Sequence, residues 1–168
     1  MMQETNFIEL KNYFENLVAQ SNFLKSFTGI FAREFHTKIN SADGMESPIL
    51  AMFKYEKGEE SSGQNSIAVR KLGLSILFND IAPDDIPLQY EKISEAELYA
   101  DKLIARIRLD SSKQDNVMFN SFLPNTVQIL PVEFNGNNFG VDVFFSLKHK
   151  QNNAVNLEDW QDLEKICP

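Results

Sequence analysis

The stretch NTVQILPVEFNGNNFGVDVFFSL, residues 125–147, decides how this chain is read. Its core, NGNNFG, is either a glycine loop that cradles a ligand or a turn between two strands. A dinucleotide cradle places its glycines between a strand and a helix, so that the amide dipoles at the helix start meet a pyrophosphate. Here the glycines are followed by a period-two alternation, with Val141, Val143, Phe145 and Leu147 on one face and Asp142, Phe144, Ser146 and Lys148 on the other. The glycines therefore punctuate a hairpin. Asn135-Gly136 suits a turn with positive φ, and Asn137 and Asn138 tolerate the same backbone. Ahead of the turn, Val127, Ile129 and Pro131 alternate with Gln128, Leu130 and Val132. Phe144 is the exception, an aromatic on the polar face, and its surroundings report whether that face meets a helix, solvent or a second subunit.

Upstream, Ser94-Glu95-Ala96-Glu97 has the form of a capping box. It predicts a helix with a buried stripe of Ala96, Ala100, Leu103, Ile104 and Ile107, stopped by DSSKQDN. The preceding DIAPDDIPLQ predicts an irregular connection. Before it, SIAVRKLGLSILFN (66–79) reads as a strand with Ala68, Arg70, Leu72, Leu74, Ile76 and Phe78 on one face. ILAMFKYE (49–56) reads as its partner, with Ile49, Ala51, Phe53 and Tyr55 on one side, and KGEESSGQNS between them as a long polar loop. At the N-terminus, Phe7, Leu10, Phe14, Leu17 and Val18 recur at helical spacing behind Thr5 or Asn6 as N-cap. Phe23, Phe27, Ile30, Phe31 and Phe35 predict a second helix over 22–38, and Leu157, Trp160, Leu163 and Ile166 a short helix in the tail.

The expected fold is therefore α+β. About four strands form a largely antiparallel sheet packed against helices, in the order α(α)ββαββ with a short C-terminal helix. One domain spans residues 1–168: N-terminal helices to residue 40, the sheet with its central helix over 48–149, and a tail from 150. The length suffices to bury a core without staples.

Composition narrows the function classes. A net charge of -8 argues against general nucleic-acid affinity, which relies on clustered Lys and Arg. The short basic run Lys148-His149-Lys150 is expected to face water at a strand end. The lone Cys167 excludes an intramolecular disulfide. No run approaches the roughly 18 consecutive apolar residues of a membrane span, and the N-terminus lacks the pattern of a secretory signal, so an intracellular soluble protein is expected. Fourteen Phe, against four Tyr and one Trp, point to aromatic wedges in a core or a subunit interface.

Catalytic chemistry has no motif to stand on. His36 and His149 lack partners at metal-ligand spacing and are expected at the surface or its boundary. Asp80, Asp84 and Asp85 do not match a calcium loop, and no G-x-S-x-G is present. No cofactor, metal or catalytic residue is expected.

The order of elements resembles the phage tail terminator (tail completion) family and its relatives among head-to-tail joining proteins. The features that match are the N-terminal amphipathic helix, the hairpin and loop of SPILAMFKYEKGEESSGQNSIAVRKLGLSILFN, the helix SEAELYADKLIARI and the closing hairpin quoted above. The second predicted helix and the C-terminal extension are additions to that plan. The resemblance implies a non-enzymatic structural subunit, cytoplasmic or in a virion, that assembles with itself into hexameric rings and meets a tail tube or neck proteins. Glu59 and Gln64 in the loop, Phe144 and Trp160 are the candidate interface residues. The alternative is a small intracellular adaptor that binds a peptide or apolar ligand on an exposed sheet face or Phe-rich groove.

Overall fold

Asn6 starts the first helix, α1 (Phe7–Gln20), through a reciprocal capping box: its side chain accepts from the Glu9 amide at 3.0 Å, and its own amide donates to the Glu9 carboxylate at 2.8 Å. The computed structural model describes residues 5–41, 44–60 and 65–161. The following elements are β1 (Ser26–Thr28), α2 (Ala32–Ile39), β2 (Ile49–Glu59), β3 (Asn65–Phe78), α3 (Ile86–Ser111), β4 (Phe122–Phe134) and β5 (Asn138–Asn152). A 3-10 turn, Leu157–Asp159, follows in the tail.

The strands form one sheet in the order β1-β2-β3-β5-β4. The four expected strands pair antiparallel, and β1 adds a fifth, parallel to β2, which makes the sheet mixed. Helices α1 and α3 cover one face. Their buried stripes meet Leu72, Leu74 and Ile76 of β3 and Val141, Val143, Phe145 and Leu147 of β5 in the main core. Helix α2 lies at one end of the other face, where Phe35 and Met45 pack on Ile49 and Leu77.

Residues 22–38 are not one helix. Phe23 and Phe27 pack against the main core, whereas Phe35 belongs to the second cluster and Phe31 is exposed, so the aromatic set is divided between two sides of the sheet. Thr28, β-branched, pairs with Ala51, and the Gly29 amide donates to the Glu34 carboxylate at 3.1 Å, closing the link into α2.

Strand β2 also departs from simple alternation. Its register with β3 runs from Met52↔Leu74 directly to Lys54↔Gly73, leaving Phe53 as a bulge. The extra residue moves Tyr55 off the face of Ile49, Ala51 and Phe53 and onto the helix side, where its ring meets Phe7 edge to face at 5.0 Å. The expected long loop is short. Both strands extend into it and leave residues 60–64 as the connection.

Helix α3 begins eight residues before Ser94, which is exposed within it. The working cap is Asp85, whose carboxylate accepts from the Leu88 amide at 3.1 Å. Pro87 fits the first turn because no amide donor is needed there. The closing hairpin turns through Asn135 (φ 56) and Gly136 (φ 73) as the sequence predicts. The described part of the tail contains the 3-10 turn; Trp160 is exposed, and Leu163, Ile166 and Cys167 lie outside the described residues. Among the described residues no helix is long and apolar enough to cross a membrane.

Candidate functional site

The face of the sheet away from α1 and α3 is built in cross-strand rows. The first row, Ile49, Leu77, Gly140 and Val132, lies under α2. The second runs Thr28, Ala51, Ser75, Asp142 and Leu130 across all five strands. The third contains Lys54, Gly73, Phe144 and Gln128. Small side chains in the second row leave a depression, and the first helical turn of α2 and its approach overhang it.

The result is a cavity of 260 Å³ floored by Thr28, Ala51 and Ser75 and walled by Phe31, Phe35, Phe53, Leu77 and Phe134. Asp142 is the one ionisable residue among its described lining residues. It accepts a 2.5 Å hydrogen bond from the Ser75 hydroxyl directly opposite it. Burial pushes the Asp142 carboxyl above the ordinary carboxylate range, and the Ser75 bond only partly opposes this. The Thr28 hydroxyl is buried and has no hydrogen-bond partner. An apolar chamber with one carboxylate and a spare hydroxyl is equipped to hold and orient a small amphipathic group. It holds no second acid or base for proton transfer.

Beyond the cavity no described element covers the same face. Phe53 and Phe144 meet edge to face at 5.5 Å, and Leu130 on β4 is 51% exposed. A second apolar surface lies on the far side of the molecule. The side of α3 opposed to its buried face carries Leu98 and Leu109, both exposed, whereas Ile86 and Tyr90 at its N-terminal end flank the β4 edge beside Pro131 and Glu133.

Of the four residues singled out from sequence, the three that are described do not converge. Phe144 lies on the uncovered face, half-buried against Phe53. Glu59 ends β2 opposite Ala68, which pairs in turn with His149. It is thus displaced from Phe144 by five residues of β5, about 17 Å at the strand rise. Its carboxylate accepts from the Asn153 side chain, which ties the start of the tail to the hairpin end. Trp160 is exposed in the tail, and Gln64 lies outside the described residues.

Sequence reasoning missed the cavity because its floor is a cross-strand row, with no signature along the chain. It also misplaced His149. The inward face of β5 continues past Leu147, so His149 is fully buried at the end of the core. Neither ring nitrogen makes a hydrogen bond, although the backbone of Val117 lies close by. Burial, assisted by the Arg70 guanidinium, pushes its pKa down to about 4. Arg70 is itself buried and donates to the Tyr55 hydroxyl at 3.1 Å and to the Thr5 carbonyl. A third polar knot joins the helices: Asp110 accepts from Tyr13 at 3.0 Å, Arg106 at 2.8 Å and Lys113 at 3.1 Å. Burial works to raise the Asp110 pKa, but these three donors outweigh it and hold the carboxyl below its ordinary value. Among the described residues no cluster of three or more His, Cys, Asp or Glu is placed to hold a metal ion.

No protein-family model matches the chain. No curated protein matches it either.

Proposed function

We propose that this protein is a non-enzymatic structural subunit that assembles head to tail into a closed ring, in the manner of phage tail terminators. The observation that carries the reading is the pair of exposed apolar surfaces on opposite sides of a two-layer fold. The sheet face away from the helices presents Phe53, Phe144 and Leu130, and the outer side of α3 presents Leu98 and Leu109. Two different patches facing away from each other make a heterologous contact between copies, and such contacts generate rings when the rotation closes. The order of elements is similar to that of tail terminators and favours a hexamer, stacked on a tail tube or neck.

Native mass measurement at micromolar concentration tests this, and a strict monomer at every concentration overturns it. A second arm tests the geometry. Phe144→Asp disables one patch and Leu98→Asp the other, so each variant alone is monomeric. Mixed in equal amounts, the two variants still own one intact patch apiece and form a dimer that cannot grow. An isologous contact through either patch alone would instead leave one of the single variants assembled.

A further inference from the structure

The cavity beneath α2 shares Phe53 with the sheet-face patch, and its other lining residues lie outside that patch. Its chemistry points elsewhere: the ligand-binding alternative raised by the sequence acquires a location and a charge. We propose that the cavity is a binding site for a small organic ammonium ion carrying an aromatic or branched aliphatic body.

Size, lining and polarity each support this. A dry apolar cavity of roughly 150 Å³ admits a benzene ring; this one measures 260 Å³ and so accepts a ring with a short chain. The lining includes four phenylalanines, Phe31, Phe35, Phe53 and Phe134, and aromatic rings reward both an apolar body and a nearby cation. Asp142 is the one ionisable group in the described lining, and its carboxylate keeps acceptor capacity beyond the single bond from Ser75. No cation faces it from that lining. A carboxylate held in an apolar chamber without a counter-charge is complementary to an ammonium group, and the buried Thr28 hydroxyl, without a partner, is a further polar group in the lining. An anionic ligand meets repulsion from Asp142 and no compensating donor charge, so the site selects by charge sign as well as by shape.

The variants below leave Phe53, the residue the cavity shares with the sheet-face patch, unchanged. The test uses the full chain at pH 7.5 and three probes that share a phenylethyl body and differ in the terminal group: 2-phenylethylamine, 2-phenylethanol and 3-phenylpropanoate. Binding is read from amide NMR shifts of the residues around the cavity. The amine is expected to bind at least tenfold tighter than the alcohol, with the acid weakest. In Asp142→Asn the amine is expected to lose that advantage while the alcohol is retained. Ala51→Leu, which fills the floor, is expected to abolish binding of both. If none of the probes shifts the cavity amides at millimolar concentration, or if the acid binds as well as the amine, the proposal is overturned. It is overturned equally if Asp142→Asn leaves the order unchanged, or if the shifts persist in Ala51→Leu.

Discussion

Phe53 lies over Gly73 and meets Phe144 edge to face: a Cβ at Gly73 would stand 2.8 Å from the Phe53 ring, and the two ring centroids are 5.5 Å apart. A bulge on β2 thus aims an aromatic at the one glycine in the middle of β3, covering backbone that would otherwise face water. Gly73→Ala pushes against this ring and against the Lys54 Cβ, 2.9 Å from the added methyl, and is expected to destabilise by about 1–3 kcal/mol, the usual cost of overpacking. In a Phe53→Ala background the same change is expected to cost at least about 0.5 kcal/mol less, since touching residues couple by 0.5–3 kcal/mol. Denaturant unfolding of the four proteins in the cycle reads the coupling, and simple additivity would show that the ring and the glycine are independent.

Gly140 sets a stricter limit. A Cβ there would lie 1.8 Å from the carbonyl oxygen of Ile76, which is backbone and cannot move aside within a paired sheet. Gly140→Ala is expected to cost more than about 4 kcal/mol, in the tail of substitutions that break a structural necessity. Gly136→Ala serves as the comparison. Its φ is +73 but its surroundings are open, so the cost is only that of a left-handed backbone, about 1–2 kcal/mol. Thermal unfolding of the two variants separates close approach from backbone conformation. Equal losses would refute the distinction.

These two glycines show what the sequence made legible and what it hid. That NGNNFG is a hairpin followed from the alternation after Gly140, and the core face Val141, Val143, Phe145 and Leu147 followed with it. The need for glycine at 140, by contrast, arises from β3, far away along the chain. The same division runs through the rest of the fold. The local patterns of α1, β3 and β5 were readable because each buries one face against one layer. The 22–38 segment was not, because its phenylalanines serve two cores on opposite sides of the sheet, a partition set by tertiary packing. The start of α3 was misread because two caps compete there, Asp85 and Ser94, and the earlier one with Pro87 in the first turn prevails. The candidate cavity was least visible of all. Its row of Thr28, Ala51, Ser75 and Asp142 draws one residue from each of four strands.

His149 predicts an acid-sensitive fold. Its native pKa is depressed to about 4 from an ordinary 6.5, so the unfolded chain takes up the proton first. Above pH 6.5 the residue contributes no pH dependence. As pH falls from there toward 4, stability is lost progressively, at about 1.4 kcal/mol for each pH unit and up to about 3 kcal/mol in all. His149→Phe removes the titrating group and is expected to flatten this part of the stability profile. Denaturant midpoints at pH 7, 6, 5 and 4 for both proteins decide it, and parallel profiles would rule His149 out as the source.

Tyr13 and Asp110 fasten α1 to α3 across 97 residues of sequence. Asp110 is almost fully buried and takes three donors, so removing one leaves its charge less well compensated. Tyr13→Phe is expected to destabilise by about 1–3 kcal/mol, the range for a hydrogen bond to a charged group. Because Tyr13 also helps hold the Asp110 pKa down, the variant's folded pKa moves up toward the unfolded value, so the acid-side loss of stability linked to Asp110 is smaller and ends at a higher pH than in the parent. NMR titration of the Asp110 carboxyl carbon gives the direct reading: an unmoved midpoint would mean that Arg106 and Lys113 alone set its charge.

Asp142 carries the opposite sign. Burial raises its folded pKa above the unfolded value, so the folded state disfavours the carboxylate, and stability falls as pH rises through the interval between the two. Below the unfolded pKa the group is neutral in both states and costs nothing; above the folded pKa the cost is complete. Asp142→Asn keeps the shape and an acceptor for the Ser75 hydroxyl while removing the charge. It is therefore expected to raise the melting temperature at pH 7 and to leave it unchanged at pH 3. A stabilising substitution in the wall of a cavity is the pattern expected where a residue is kept for binding at the expense of folding. A melting temperature that drops at pH 7 would show that the carboxylate instead supports the sheet through Ser75.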